Sequence, residues 1–353
     1  MSYEFLTEAV RLGASDIFIV PGLPLSYKIN GQIRPAGPDR LTSEQTETLI
    51  TSIYELSSHR SMERLHSHGD DDLSCSLTGI ARFRVSAMKQ RDSLAAILRV
   101  VQFEIPNPTE IHIPPEVIGI SKLKRGLVLV TGSAGSGKST TLACVIDEIN
   151  RTCNDHIITL EDPIEYLHRH NRSVVTQRQV GLDTDSYIHG LTAALRQAPD
   201  VILLGEMRDY ETIRTAMTAA ETGHLVISTL HTIGAANSID RIIDVFPTGG
   251  QQQIRVQLAM VLQAVISQQL VPTVSGGMVP AFEIMFLNDA IRTMVREGKN
   301  HQIDNVIATS SQEGMISLNN SLLRLLREGT ITQQTCINYS TDPEQMRMRL
   351  TGY

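Results

Sequence analysis

Apolar and polar residues alternate in two different ways along this chain of 353 residues. In the first part the period is two, the signature of half-buried strands. Leu73, Cys75 and Leu77 are separated by polar residues, and so are Phe83, Val85 and Ala87. Residues 94–101 are more uniformly apolar and also read as a strand. Two further strands are predicted over 16–20 and 25–29, separated by Pro21-Gly22-Leu23-Pro24 and followed by Asn30-Gly31, a strong hairpin turn. A helix over 3–12 stops at Gly13. Thr42-Ser43-Glu44-Gln45 is a capping box that opens a second helix, with Leu49, Ile50, Ile53 and Leu56 on its apolar stripe.

The later part reads differently. Short apolar runs at 127–130, 156–160, 201–204, 225–229 and 279–286 predict buried strands. Between and after them lie helical patterns over 187–198, 235–244, 251–268, 289–297 and 318–328. Another helix is capped by Asp209 and runs through Ala220, with Gly223 just past its end. Alternation of this kind predicts a mostly parallel sheet with helices packed on it. Pro106, Pro108, Pro114 and Pro115 separate the two parts; so many prolines predict a stiff extended linker. The expected organisation is therefore an α+β domain over 1–105, a proline-rich linker over 106–117 and an α/β domain over 118–353.

Composition narrows the class. A hydrophobic content of 41% supports ordinary cores. The formal net charge of −7 argues against broad nucleic-acid binding, whose footprint is a basic surface. No apolar run reaches the length of a membrane span, and MSYEFLTEAV carries no signal-peptide pattern, so a cytoplasmic protein is expected. Cys75, Cys144, Cys153 and Cys336 have no C-x-x-C spacing, which argues against structural zinc and a disulfide framework.

The strongest chemical signal follows the 127–130 strand. Gly132-Ser133-Ala134-Gly135-Ser136-Gly137-Lys138-Ser139-Thr140 contains the G-x-x-x-x-G-K-[ST] pattern, and the apolar positions Leu142, Val145, Ile146 and Ile149 then mark one helical face. Glycines let consecutive N–H groups turn inward on phosphate oxygens, and the helix N-terminus adds orphan donors and partial positive charge. Lys138 supplies a full charge for the outer phosphates and Ser139 a hydroxyl for Mg²⁺. This run is expected to bind a nucleoside triphosphate. Ligands of open parallel sheets sit at the carboxyl ends of the strands. There the sequence places Glu161, Asp162 and Glu165 after one strand, Glu206 after another and His231 after a third. These supply candidates for the metal shell and for orienting or deprotonating a water. Gly205-Glu206 stands where an aspartate is more usual, so its metal contact is expected through water. Glu161 and Asp162 also suit a turn before Pro163, and His224 suits a helix end. In the first part, the period of two puts Arg82 and Arg84 on the face opposite Phe83 and Val85, with Arg99 near the end of the next strand. This face also suits a solvated sheet surface.

The stretches ITLEDPIEYLH (158–168), RQAPDVILLGEMRDYETIRTAMTAAETGHLVISTLHT (196–232), GASD (13–16), GLP (22–24) and ARFRVSA (81–87), with the glycine-rich loop, resemble the type II/IV secretion ATPase superfamily. The resemblance spans nearly the whole chain and points to the PilT-type pilus-retraction motors. It implies a PAS-like α+β N-terminal domain, a RecA-like P-loop ATPase domain and a homohexameric ring. Position by position it implies a catalytic role for Glu165 and for Glu206, a His box of His224 and His231 with His231 catalytic, and N-terminal arginines Arg84 and Arg99 that reach the γ-phosphate. AIRTMVRE at 290–297 resembles the retraction element of such motors, which implies a coupling role for Arg292 and Arg296. The implied setting is the cytoplasmic face of the inner membrane, on a pilus platform protein, acting on pilin indirectly and not on nucleic acid. A secretion, conjugation or DNA-uptake ATPase of the same superfamily, or a nucleotide-gated scaffold without turnover, are the alternatives the sequence leaves open.

Overall fold

The computed structural model describes residues 3–29, 31–57, 60–77, 79–101 and 105–351. The chain divides into two compact units, Met1–Glu104 with Glu165–Leu167, and Ile105–Ile164 with His168–Tyr353.

The first unit is built on a six-stranded sheet. Its strands are β1 (Asp16–Ile19), β2 (Pro24–Ile29), β3 (Gln32–Arg40), β4 (Asp70–Leu77), β5 (Ala81–Gln90) and β6 (Ser93–Val101), in the order β3-β2-β1-β6-β5-β4 with antiparallel neighbours throughout. The alternation in β4 and β5 does what a period of two requires: Leu73, Cys75, Phe83 and Val85 are buried, while Arg84 is exposed. Helices Glu4–Arg11 and Ser43–Leu56 bury Leu6, Ala9, Ile50 and Ile53 in the same core. The capping box forms: the Thr42 hydroxyl accepts from the Gln45 N–H, and the Gln45 side chain accepts from the Thr42 N–H. Asn30 of the expected hairpin turn lies outside the described residues. β3 went unanticipated because Pro35 and Pro38 interrupt it and every residue is exposed; proline is tolerated in such an edge strand. The result is a PAS-like α+β domain.

The second unit holds a seven-stranded sheet. Its strands are β7 (Gly126–Thr131), β8 (His156–Glu161), β9 (Val174–Gln179), β10 (Val201–Leu204), β11 (Leu225–Leu230), β12 (Leu262–Pro272) and β13 (Met278–Phe286), in the order β13-β12-β7-β11-β10-β8-β9. All neighbours are parallel except β12 and β13. Leu127, Leu129, Ile158, Ile202 and Val226 enter one core; Val128, Val130, Ile157, Val201 and Leu225 enter the core on the other face. Coverage of both faces is why these strands read as continuous apolar runs. This is a RecA-like α/β domain.

Several expectations need correction. The helix predicted over 251–268 ends at Val261, and Leu262 begins β12. The apolar run 261–266 fits either a buried helix or a strand covered on both faces, and pairing with β7 and β13 decides for the strand. The helix predicted to reach residue 198 stops at Ala194. Residues 106–117 are not extended throughout: turns occupy 108–112, and a short helix, Pro115–Ile118, starts with proline where its missing N–H costs nothing. Ile113 and Val117 are buried in the core of the second unit.

His168 carries a pH dependence. Its ring is largely buried, its Nδ1 has no hydrogen-bond partner among the described residues, and burial pushes its pKa down to about 4. The unfolded chain binds a proton near the ordinary value of 6.5, so stability is full above that pH and is lost as pH falls toward 4. The whole effect is about 3 kcal/mol. Thermal melts of wild type and His168→Gln between pH 7.5 and 4.5 check this. The wild-type Tm should fall more steeply on acidification; parallel curves would remove His168 as the cause.

Candidate active site

β7 delivers the chain to the glycine-rich loop, and helix Lys138–Thr152 leaves it. Gly132 has φ of +143° and lies against the backbone oxygen of Gln268, so a side chain there has neither the conformation nor the room. Gly137, with φ of +88°, is the N-cap of the helix. Lys138 is buried, and its Nζ donates to the carbonyls of Gly132 at 2.8 Å and Ser133 at 2.9 Å. The ammonium is thus held at the mouth of the loop. The Ser136 hydroxyl is buried with no partner among the described residues. An anion with several acceptor oxygens fits this donor set, because a buried hydroxyl is costly until it is bonded.

The carboxyl ends of β7, β8, β10 and β11 lie along one sheet edge. Leu204 is in register with Leu160 and Ser228, and Thr131 with Leu230. Glu206 therefore follows β10, and His231 follows β11 one residue beyond the rung that precedes the loop. The Glu206 carboxylate takes Arg208 Nε at 2.7 Å and His231 Nε2 at 3.4 Å. Glu161 accepts from the Thr159 hydroxyl at 2.6 Å and from Gln177 at 3.2 Å. Tyr187 stands among these acids: burial, then the charges of Glu206, Asp162 and Glu161, push its pKa up, so its hydroxyl keeps its proton. Behind the His231 loop, the Gly234 N–H donates to Ser267 Oγ at 2.9 Å and the Ala235 N–H to the Glu283 carboxylate at 2.8 Å. Burial pushes the Glu283 pKa up. Among the described residues no group of three or more His, Cys, Asp or Glu could hold a metal ion.

The other expected residues are placed as follows. His224 precedes β11 whereas His231 follows it, so the strand Leu225–Leu230 separates them; His224 Nδ1 meets the Ala219 carbonyl at 2.9 Å, a helix-end contact. Arg84 of β5 and Arg99 of β6 are directly opposed, both exposed, and Arg99 Nε reaches Asp16 at 3.1 Å. Glu165 is exposed and groups with the first unit. In helix Asp289–Glu297, Ile291 and Val295 are buried as the pattern requires. Arg292 donates to the Ala259 carbonyl at 2.6 Å, while Arg296 is exposed.

A cavity of about 410 Å³ opens on the flank of the loop, with Gly137, Thr140 and Thr141 on one side and Ile111, His112 and Leu270 among its other walls. Sequence reasoning missed this cavity, Arg208, Tyr187 and Gln268. Arg208 sits two residues past a recognised acid. For Gln268 there was no signal, because Ser267 and Gln269 beside it are polar too and nothing in the pattern sets it apart.

A phosphate-binding loop at the carboxyl edge of a parallel sheet, with an acid and a histidine on adjacent strands, defines a RecA-like P-loop nucleotide-binding protein. The profile of the family described as type II/IV secretion system protein matches residues 1–306. The type IV pilus retraction ATPase PilT of Pseudomonas aeruginosa is 41% identical over 341 residues, covering 97% of this chain and 98% of that protein. The type IV pilus ATPase PilU of the same organism is 37% identical over 352 residues, 99% of this chain and 91% of that one. A crystal structure of the pilus retraction motor PilT with bound ADP matches with a TM-score of 0.89 at 45% identity, over 97% of each chain. The chain belongs to the type II/IV secretion system protein family.

Proposed function

We propose that this protein is an ATP-hydrolysing motor that drives type IV pilus retraction. The observation that carries the chemistry is the Glu206–His231 pair beside the Lys138 loop on one sheet edge. In this reading the loop N–H groups and Lys138 bind the phosphates, and the cavity beside Thr140 takes the base. Glu206, oriented by Arg208 and His231, positions the attacking water and accepts its proton. Glu165 is assigned a second carboxylate role in turnover. Mg²⁺, held by Ser139 and through water by Glu206, would neutralise charge on the phosphates.

Arg84 and Arg99 add to this. Like charges directly opposite on neighbouring strands are unfavourable unless an anion answers them, and among the described residues Asp16 pairs with Arg99 but not with Arg84. We assign them to phosphate charge in the assembled ring. Arg84→Ala with Arg99→Ala is expected to lower turnover roughly 10²-fold, short of a full arginine finger. Unchanged phosphate release would return this face to solvent.

The working form is a homohexamer on the cytoplasmic face of the inner membrane. Hydrolysis moves the PAS-like domain (1–105) against the RecA-like domain (118–353) and turns a platform protein that removes pilin. Among the described residues no helix is long and apolar enough to cross a membrane. The test is phosphate release by the purified protein together with twitching of a deletion strain; loss of secretion or DNA uptake without excess pili would overturn retraction. Arg292→Ala with Arg296→Ala is expected to keep ATPase within a few-fold of wild type yet fail to restore twitching, because the domain motion delivers the work. Parallel loss of ATPase would make that helix structural.

A further inference from the structure

We propose that Gln268 is a positioning residue for the phosphate-binding loop, setting the peptide plane between Ser136 and Gly137. The inference rests on the ATPase reading above. Gln268 lies on β12, far in sequence from the loop, and is 4% exposed. Its Nε2 donates to the Ser136 carbonyl at 2.7 Å, and its Oε1 accepts from the Thr141 hydroxyl at 2.7 Å. The Ser136 carbonyl can only accept, so the amide has one orientation in which both bonds form. One side chain thereby ties the loop to the first turn of the helix that follows it.

The consequence comes from peptide geometry. In a trans peptide the C=O and the next N–H point in opposite directions. Holding the Ser136 carbonyl against Gln268 turns the Gly137 N–H the other way, away from β12. Gly137 is the N-cap of helix Lys138–Thr152, where an N–H suits an anion. The loop needs that clamp because Gly137, at φ of +88°, offers little resistance to a peptide flip. A side chain on Gly137 would come within 2.8 Å of Gln268 Nε2, and one on Gly132 would collide with the Gln268 carbonyl. The glycines therefore also make room for this strand. Gln269, the next residue, provides the comparison: its Nε2 donates to the Tyr339 carbonyl at 2.9 Å, an anchor for the C-terminal helices on the opposite face of the strand.

The experiment compares Gln268→Met with Gln269→Met in the full-length protein. Each replacement keeps the bulk of the side chain and removes its hydrogen bonds. Both should lower Tm. Only Gln268→Met should raise the KM for ATP and the Kd for ADP, by about tenfold, because a buried carbonyl is left unpaired and the phosphate donor is no longer held. Its kcat at saturating ATP should stay within about threefold of wild type, the pattern of a lost binding interaction. Gln268→Asn, with an amide one methylene shorter, should fall in between and carries the test if the Met variant does not fold. Unchanged KM and Kd despite a lower Tm would overturn the inference, as would an equal rise in Gln269→Met. A wild-type protein that binds no ADP would overturn the nucleotide reading and this inference with it.

Discussion

Lys138→Ala is expected to abolish ATP hydrolysis. Lys138 is buried at the mouth of the loop, and its ammonium is already oriented by the Gly132 and Ser133 carbonyls. A positive charge pre-placed in a water-poor site acts on developing phosphate charge without reorganisation, and loss of one such group costs about 10²–10³-fold or more. Alanine also leaves the two carbonyls without that donor, so ATP binding should weaken as well. Lys138→Arg should not rescue, because the planar guanidinium is larger and cannot take the place of a compact ammonium between those carbonyls. The check is steady-state phosphate release, with a melting curve to establish that the variant is folded. Wild-type turnover in Lys138→Ala would sink the assignment of this loop.

Glu206→Gln should separate binding from turnover. Glutamine has the same shape and keeps an oxygen that accepts from Arg208 and His231, so the end of β10 should hold its form. What it lacks is the charge and the basicity. ATP binding is expected to persist while kcat falls by about 10²–10⁴-fold, the usual size of a general-base contribution. Glu165→Gln is expected to act in the same direction. Single-turnover phosphate release beside equilibrium ATP binding makes the distinction. Near-normal turnover in both variants would mean that neither carboxylate handles the water.

The local parts of this protein were open to reading in one dimension. The capping box at Thr42, the buried runs of β7, β8, β10 and β11 and the helix Ala235–Asp244 all follow from patterns a few residues long. So does the loop, whose glycines and lysine fall within one short run, Gly132–Lys138, because a phosphate is cradled by consecutive N–H groups. Reading failed where the deciding contact is remote. The run after Val261 carries no period that separates helix from strand, and only its neighbours β7 and β13 choose. β3 is exposed and interrupted by proline, so no apolar pattern announces it.

The same division runs through the site. Sequence by itself determined the phosphate loop, the acid after β10 and the arginine face of β5, because each is carried by spacing within one element. Tertiary structure alone decided how they combine. Parallel register brings Glu206 and His231 together but leaves His224 at the other end of β11, although the two histidines are seven positions apart in one motif. Antiparallel register sets Arg84 opposite Arg99. Folding of β12 beside β7 presents Gln268 to Ser136 across more than a hundred residues of chain. Hydrogen bonds act over about 3 Å, and only the packed sheet brings such distant residues that close.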